Sequence, residues 1–153
     1  MLQHVAIEEF HRGVELLQRR CPEQALLHIE RAFHIDGENP YYISYMGLAV
    51  GVARKQWAEA EIFCQKAVKM HRNQPVLYLN LAEVYRRSGR KEDAVAALER
   101  GLLNTGNAKV LRNALGKLSR RRRPAIPFLN RNHKVNRKLG ELRQQIGQLL
   151  HKA

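Results

Sequence analysis

The chain has 153 residues, 44% of them hydrophobic, and 27 Lys and Arg against 14 Asp and Glu give it a formal net charge of +13. That is enough apolar material for a compact unit with its own core, while no segment is long and apolar enough to cross a bilayer. With three serines, one threonine and two aspartates, the chain is also poor in the groups that nucleophilic catalysis uses.

Along the chain, apolar residues recur every three or four positions and never alternate as in a strand, so the expected fold is all helical. Helices are predicted near residues 4–20, 22–35, 41–54, 57–70, 76–88 and 91–104. Pro22, Pro40 and Pro75 mark three of the starts, where a missing N–H costs nothing. Turn-favouring runs at 36–39, 71–74 and 104–107 separate one helical pair from the next. The start, Met1-Leu2-Gln3-His4-Val5-Ala6, has neither a basic residue nor a long apolar run, so no signal peptide is expected and the cytoplasm is the default location.

Small residues give these pairs a period. Gly13, Gly47 and Ala82 lie 34 and 35 residues apart, followed by Ala25, Ala60 and Ala94 and then by Ala32, Ala67 and Gly101. The second block has one extra residue, which we place in the turn around Arg54. Two antiparallel helices approach to about 8–10 Å only where side chains do not hold them apart, and a period near 34 means stacked helical pairs. A stack of three pairs needs a cap on its open end. Residues 108–119, with Val110, Leu111, Ala114, Leu115 and Leu118 at helical spacing, are expected to supply it.

The charge sits beyond the repeats. Residues 1–107 hold 14 basic and 13 acidic residues, whereas the last 46 hold 13 basic residues and one acid, Glu141. Arg120, Arg121, Arg122 and Arg123 are consecutive, and such a block attracts anions: an acidic protein surface or the phosphates of a nucleic acid. Phe128 is the only aromatic residue near it, which argues against reading of bases by stacking. A short apolar segment, Pro124-Ala125-Ile126-Pro127-Phe128-Leu129, follows and is expected to be extended. It packs on the stack or serves as a plug or docking motif. Val135, Leu139, Leu142, Ile146 and Leu149 then form the stripe of a final helix, too short for a stable free coiled coil. It is suited to docking or to self-association; membrane binding is disfavoured because the helix lacks aromatic residues and contains Gly140 and Gly147.

The spacing of Tyr78, Leu81, Ala82, Tyr85, Gly89, Ala94, Leu98 and Gly101 resembles the tetratricopeptide repeat family. So do Ile43, Met46, Gly47, Val50, Trp57, Ala60, Cys64 and Ala67, and in the first block Gly13, Leu16, Ala25, Ile29 and Ala32. In that block Glu9 and Arg12 stand where the family carries large apolar residues, so an exposed edge is expected. The resemblance covers residues 4–107 and implies an all-α solenoid of three helix-turn-helix pairs, with the capping helix closing a domain at 1–119 and a basic extension at 120–153 that ends in a C-terminal helix. It further implies a groove built from the first helix of each pair. Phe10, Val14 and Leu17 would line it, then Tyr41, Ser44, Tyr45, Leu48 and Val52, then Leu79, Asn80, Glu83, Arg86 and Arg87, with the two arginines engaging acids at one end. One branch of the family clamps a C-terminal carboxylate; the matching positions here are Phe10, Val14, Tyr45, Val76 and Asn80, and four of the five fail that pattern.

No constellation for catalysis accompanies these features. Ser44, Ser88 and Ser119 have no histidine and carboxylate in a nucleophile arrangement, and no glycine-rich phosphate loop is present. The pairs His4 with His11 and His28 with His34 are seven and six residues apart, not the four that put two metal ligands on adjacent turns. Neither a metal nor a cofactor is therefore expected. Cys64 reads as a small core residue and Cys21 as a turn residue, so a disulfide between them is not expected. The functional expectation is a non-enzymatic adaptor that holds a protein segment in its groove, with Arg120–Arg123 as an accessory anion contact. The alternatives are nucleic-acid binding through the arginines without sequence preference, or a small secretion chaperone that shields apolar segments.

Overall fold

The computed structural model describes residues 2–119. The arginine run, the segment 124–129 and the helix expected at 135–149 lie outside the described residues. Among the described residues seven helices follow in order: α1 (Leu2–Gln18), α2 (Pro22–Ile35), α3 (Pro40–Arg54), α4 (Trp57–Met70), α5 (Pro75–Arg87), α6 (Lys91–Asn104) and α7 (Lys109–Ser119). They pack as the pairs α1/α2, α3/α4 and α5/α6, each pair resting on the next, with α7 against α5 and α6. Among the described residues there is no strand.

Pro22, Pro40 and Pro75 each occupy the first turn of their helix, and the Asn39 side chain caps α3 by accepting from the Tyr41 N–H at 3.0 Å. Helix α3 buries Tyr42, Ile43, Ser44, Met46, Gly47, Ala49, Val50 and Gly51. Most of its circumference is covered, as expected of a helix with a neighbour on each side, while the face of Tyr45, Leu48 and Val52 is only half-buried. Leu77, Tyr78 and Leu81 of α5 are completely buried, and a continuous core runs from Ile43 through Cys64 and Leu98 to Leu111 of α7.

The small residues stand at the points of closest approach. A Cβ on Gly13 would lie 2.5 Å from Ile29 Cγ1, and one on Gly47 would lie 2.6 Å from the Ala60 carbonyl oxygen and 2.8 Å from Cys64 Sγ. On Gly101 it would meet Tyr78 Cγ at 2.7 Å and Leu111 Cδ1 at 2.9 Å. Contacts that short do not occur between real atoms, so glycine is what lets each pair close. Ala25, Ala32, Ala60, Ala67 and Ala94 are completely buried beside them.

The extra residue of the second block is not in the turn. Helix α3 continues through Arg54, and only Lys55 and Gln56 separate it from α4, against three residues in each of the other pairs. In those pairs the backbone turns at Arg20 (φ 61°) and Gly89 (φ 84°), and the following N–H reaches five residues back, Cys21 to Leu16 and Arg90 to Tyr85, at 2.9 Å. In the second pair Lys55 itself is left-handed (φ 59°), and its N–H closes on Gly51 O at 3.1 Å. Gly51 makes this tighter exit possible, because a Cβ there would strike the Trp57 ring at 2.9 Å.

Two further expectations change. Arg12 is exposed, as expected of that edge, but Glu9 is not: its side chain is 22% exposed and accepts from His28 Nδ1 at 2.6 Å, joining α1 to α2, with Arg31 3.6 Å away. The charge substituting for an apolar residue is thus matched by a partner on the facing helix. Val110 does not cover the third pair but is 52% exposed. It sits about 100° around the helix from Leu111, which is fully buried. Cys64 is also fully buried, and burial pushes its thiol pKa up to about 12; Cys21 is exposed, and both are free.

Replacing Gly47 by Ala should destabilise the fold by about 1–3 kcal/mol through overpacking, outweighing the roughly 1 kcal/mol that Ala gains over Gly as a helix former. A lowered urea midpoint at unchanged slope is the expected signature; an equal or higher midpoint would contradict the close contact. The hydrogen bond from His28, opposed by burial and helped by the charges of His28 and Arg31, holds the Glu9 carboxyl below its ordinary pKa. Its contribution is therefore complete above the unfolded carboxylate value of about 4.3 and is lost as pH falls through the lower folded value. Glu9→Gln should accordingly cost stability at neutral pH and show a shallower loss between pH 7 and the acid limb than the unaltered protein, in urea unfolding at each pH.

Candidate peptide-binding groove

The first helices of the pairs place Val14 and Leu17 of α1, Tyr45, Leu48 and Val52 of α3, and Asn80, Glu83 and Arg87 of α5 around one hollow of ≈ 230 Å³, with Gln18 at its edge. A second hollow of ≈ 440 Å³ lies between α5 and α7, lined by Leu79, Asn80, Ala82, Glu83 and Arg86, by Leu98 of α6, and by Ala114, Lys117 and Leu118. Asn80 and Glu83 border both. Helical periodicity explains the series: residues three, four and seven apart share a face, and the close approach at the small residues turns the opposite face of each first helix outward.

Expected lining residues divide into three groups. Val14, Leu17, Tyr45 and Leu48 meet at the first hollow, while Leu79 and Arg86 stand at the second. Phe10 lines neither. Its ring packs 4.8 Å from Tyr42 and 5.2 Å, edge-on, from Tyr45, so it supports Tyr45 from behind. Tyr41 also lies outside both hollows, half-buried against the core beside Phe33. Ser44 is fully buried and not on the groove surface: its Oγ accepts from Asn80 Nδ2 at 3.0 Å, and its carbonyl accepts from Cys64 Sγ at 3.4 Å. This buried contact ties α3 to α5 and α4, and fixes Asn80 at the groove floor.

Arg86 and Arg87 are already occupied. Arg86 grips Glu83 with two hydrogen bonds of 2.7 Å, from Nε and Nη2, and Arg87 Nε donates to Glu83 Oε1 at 2.6 Å. Burial raises the Glu83 carboxyl pKa, but the hydrogen bonds and charges of the two arginines outweigh it and the net shift is downward. The three side chains form a cluster with a formal charge of +1, so the groove's charged end combines an acceptor with donors.

The α7 wall was not identified from the sequence. Lys117 lines the second hollow and forms no ion pair among the described residues. Its helix was legible as a cap, and the stripe of Leu111, Ala114, Leu115 and Leu118 marked its inward face. That the edge of this stripe also faces α5 depends on the crossing of two helices. Groups of three or more potential metal ligands are absent among the described residues.

The tetratricopeptide repeat family pattern matches residues 52–118, from the end of α3 to α7. No curated protein matches the chain's sequence. Among solved structures, the first tetratricopeptide domain of human RPAP3 superposes with a TM-score of 0.62 at 23% identity, covering 76% of this chain and 91% of that one. The tetratricopeptide domain of Arabidopsis OM64 gives 0.61 at 18% identity, covering 77% and 97%. The second such domain of human RPAP3, in complex with the HSP70 peptide SGPTIEEVD, gives 0.60 at 21% identity, covering 79% and 100%. With the repeat pattern over residues 52–118 and this shared architecture across its helices, the chain has the fold of a tetratricopeptide-repeat solenoid.

Proposed function

We propose that the protein is a non-catalytic adaptor that binds a peptide or helical segment in the groove of α1, α3 and α5. The observation that carries this reading is the row Val14, Leu17, Tyr45, Leu48 and Val52 around one hollow. Aliphatic and aromatic side chains at a recess are the usual anchors for a partner segment. Leu79 and Leu118 extend the apolar lining into the second hollow, with Asn80 and the Glu83 cluster supplying polar contacts at the border.

The ligand class differs from an acidic chain end. The peptide bound to the second RPAP3 domain ends in Glu-Glu-Val-Asp, and four of the five positions at which the family's carboxylate clamp would stand are Phe10, Val14, Tyr45 and Val76 here. A groove of that composition favours a segment presenting apolar side chains, with one polar or charged group for the Glu83 cluster. Arg120–Arg123 act in this proposal as an accessory contact for an acidic stretch of the same partner, and the protein works in the cytoplasm.

The test is capture from nuclease-treated lysate by the full chain and by a variant carrying Tyr45→Ala and Leu48→Ala. Loss of two anchor residues should weaken retention of a discrete protein at least about tenfold while far-ultraviolet circular dichroism stays unchanged. Equal retention would reject the groove. Capture that disappears with nuclease alone would assign binding to the arginine run and a nucleic acid.

A further inference from the structure

Away from the groove, on the side of the second helices, a hollow of ≈ 350 Å³ opens between α4 and α6 where α5 begins. Its lining includes Val68 and Tyr78, with Lys69, Arg72 and Arg100 as the charged residues and no acid. That volume is in the range of small-ligand pockets.

Like Lys91 and Lys117, these three cations have no carboxylate partner among the described residues, and what sets them apart is that they share one hollow. Every other Lys and Arg from Arg31 to Arg90 meets a carboxylate or an aromatic ring: Arg31 Glu9, Arg54 Glu30, Lys66 Glu38, Arg86 and Arg87 Glu83, Arg90 Glu61 and Asp93, and Lys55 the Trp57 ring. Lys69 and Arg72 have no such partner among the described residues, and neither has Arg100. The negative end of α4 favours Lys69 in its last turn. It does not explain Arg72, which lies in the following loop, or Arg100, which precedes the last turn of α6.

The neutral donors around the hollow are engaged. Gln65 Nε2 donates to Glu61 and to the Tyr85 hydroxyl at 2.9 and 3.0 Å, Asn104 Nδ2 to Arg100 O at 2.9 Å, and the Tyr78 hydroxyl to Arg72 O at 2.9 Å. The last two bonds hold the backbone carrying both arginines. Two guanidinium forks and one ammonium are thus the groups available to a ligand. Forks of this kind pair with phosphate oxygens two at a time.

We propose that this hollow binds a small, soluble, multiply phosphorylated anion. The site is separate from the groove and does not depend on what the groove binds. Three positive charges without an acid match a ligand bearing two or more phosphoryl groups better than one carboxylate.

The test is a titration of the ¹⁵N-labelled full chain with inorganic pyrophosphate at constant ionic strength, read residue by residue so that the basic extension is resolved from the hollow. Saturable shifts of the Lys69, Arg72, Arg100 and Asn104 amides are expected. Their midpoint should rise at least about tenfold in the variant combining Lys69→Gln, Arg72→Gln and Arg100→Gln, and stay unchanged when Arg120 to Arg123 are all replaced by Gln. Should the triple variant lose its dispersed spectrum, Arg72→Lys keeps the charge but removes the fork, and should raise the midpoint severalfold. Shifts confined to residues 120–153, absence of saturable shifts, or midpoints indifferent to the pocket substitutions would overturn the proposal. Phosphatidylcholine vesicles containing phosphatidic acid form a second arm. Retention on them that depends on Lys69, Arg72 and Arg100, without a pyrophosphate response, would transfer the phosphoryl group to a membrane and overturn the soluble ligand.

Discussion

The architecture depends on backbone coming within touching distance of the facing helix at three points. Gly13 against Ile29, Gly47 against the Ala60 carbonyl and Gly101 against Tyr78 leave no room for even a methyl group. All three set the closeness within a pair, and the third also admits the leading leucine of α7. Everything outward of these contacts inherits their spacing. With α3 clasped to α4, its remaining faces lie against α2 and α5, and the side chains left over are the ones that line the groove.

Much of this was legible because glycine, a poor helix former, has little reason other than close packing to recur at a fixed interval inside helices. The helix order, the proline starts and the cap follow from that period and from the apolar spacing. The misplacements have local causes. One extra residue near Arg54 looks like a longer turn when blocks are aligned by their small residues, but Gly51 and Trp57 allow the helix to run on and turn sharply at Lys55. Glu9 looks like an exposed edge until His28 is found opposite it, 19 residues later. Val110 fits the helical interval numerically but lies on the flank of the stripe, not at its centre.

The groove was less legible than the fold, since position on a first helix does not reveal depth. Ser44 and Leu48 are one turn apart on the same helix, yet one is sealed beneath Asn80 and the other borders a hollow. Similarly, Arg86 and Arg87 appear from their sequence as two cations awaiting an acid. Glu83, one turn earlier, already provides it. What the groove offers a partner is consequently apolar surface with a self-neutralising polar margin, a character set by neighbours within a turn more than by the overall charge of +13.

The two thiols give this protein an internal gauge of its own opening. Cys21 stands in an exposed turn, whereas Cys64 lies at the junction of α3, α4 and α5 with its proton held to about pH 12. Thiolate is the reactive form, so an alkylating reagent consumes Cys21 in the folded molecule and reaches Cys64 only when α3 and α4 of the middle pair part. The ratio of the two labelling rates is therefore a measure of how often the stack parts at its centre, distinct from fraying at its ends.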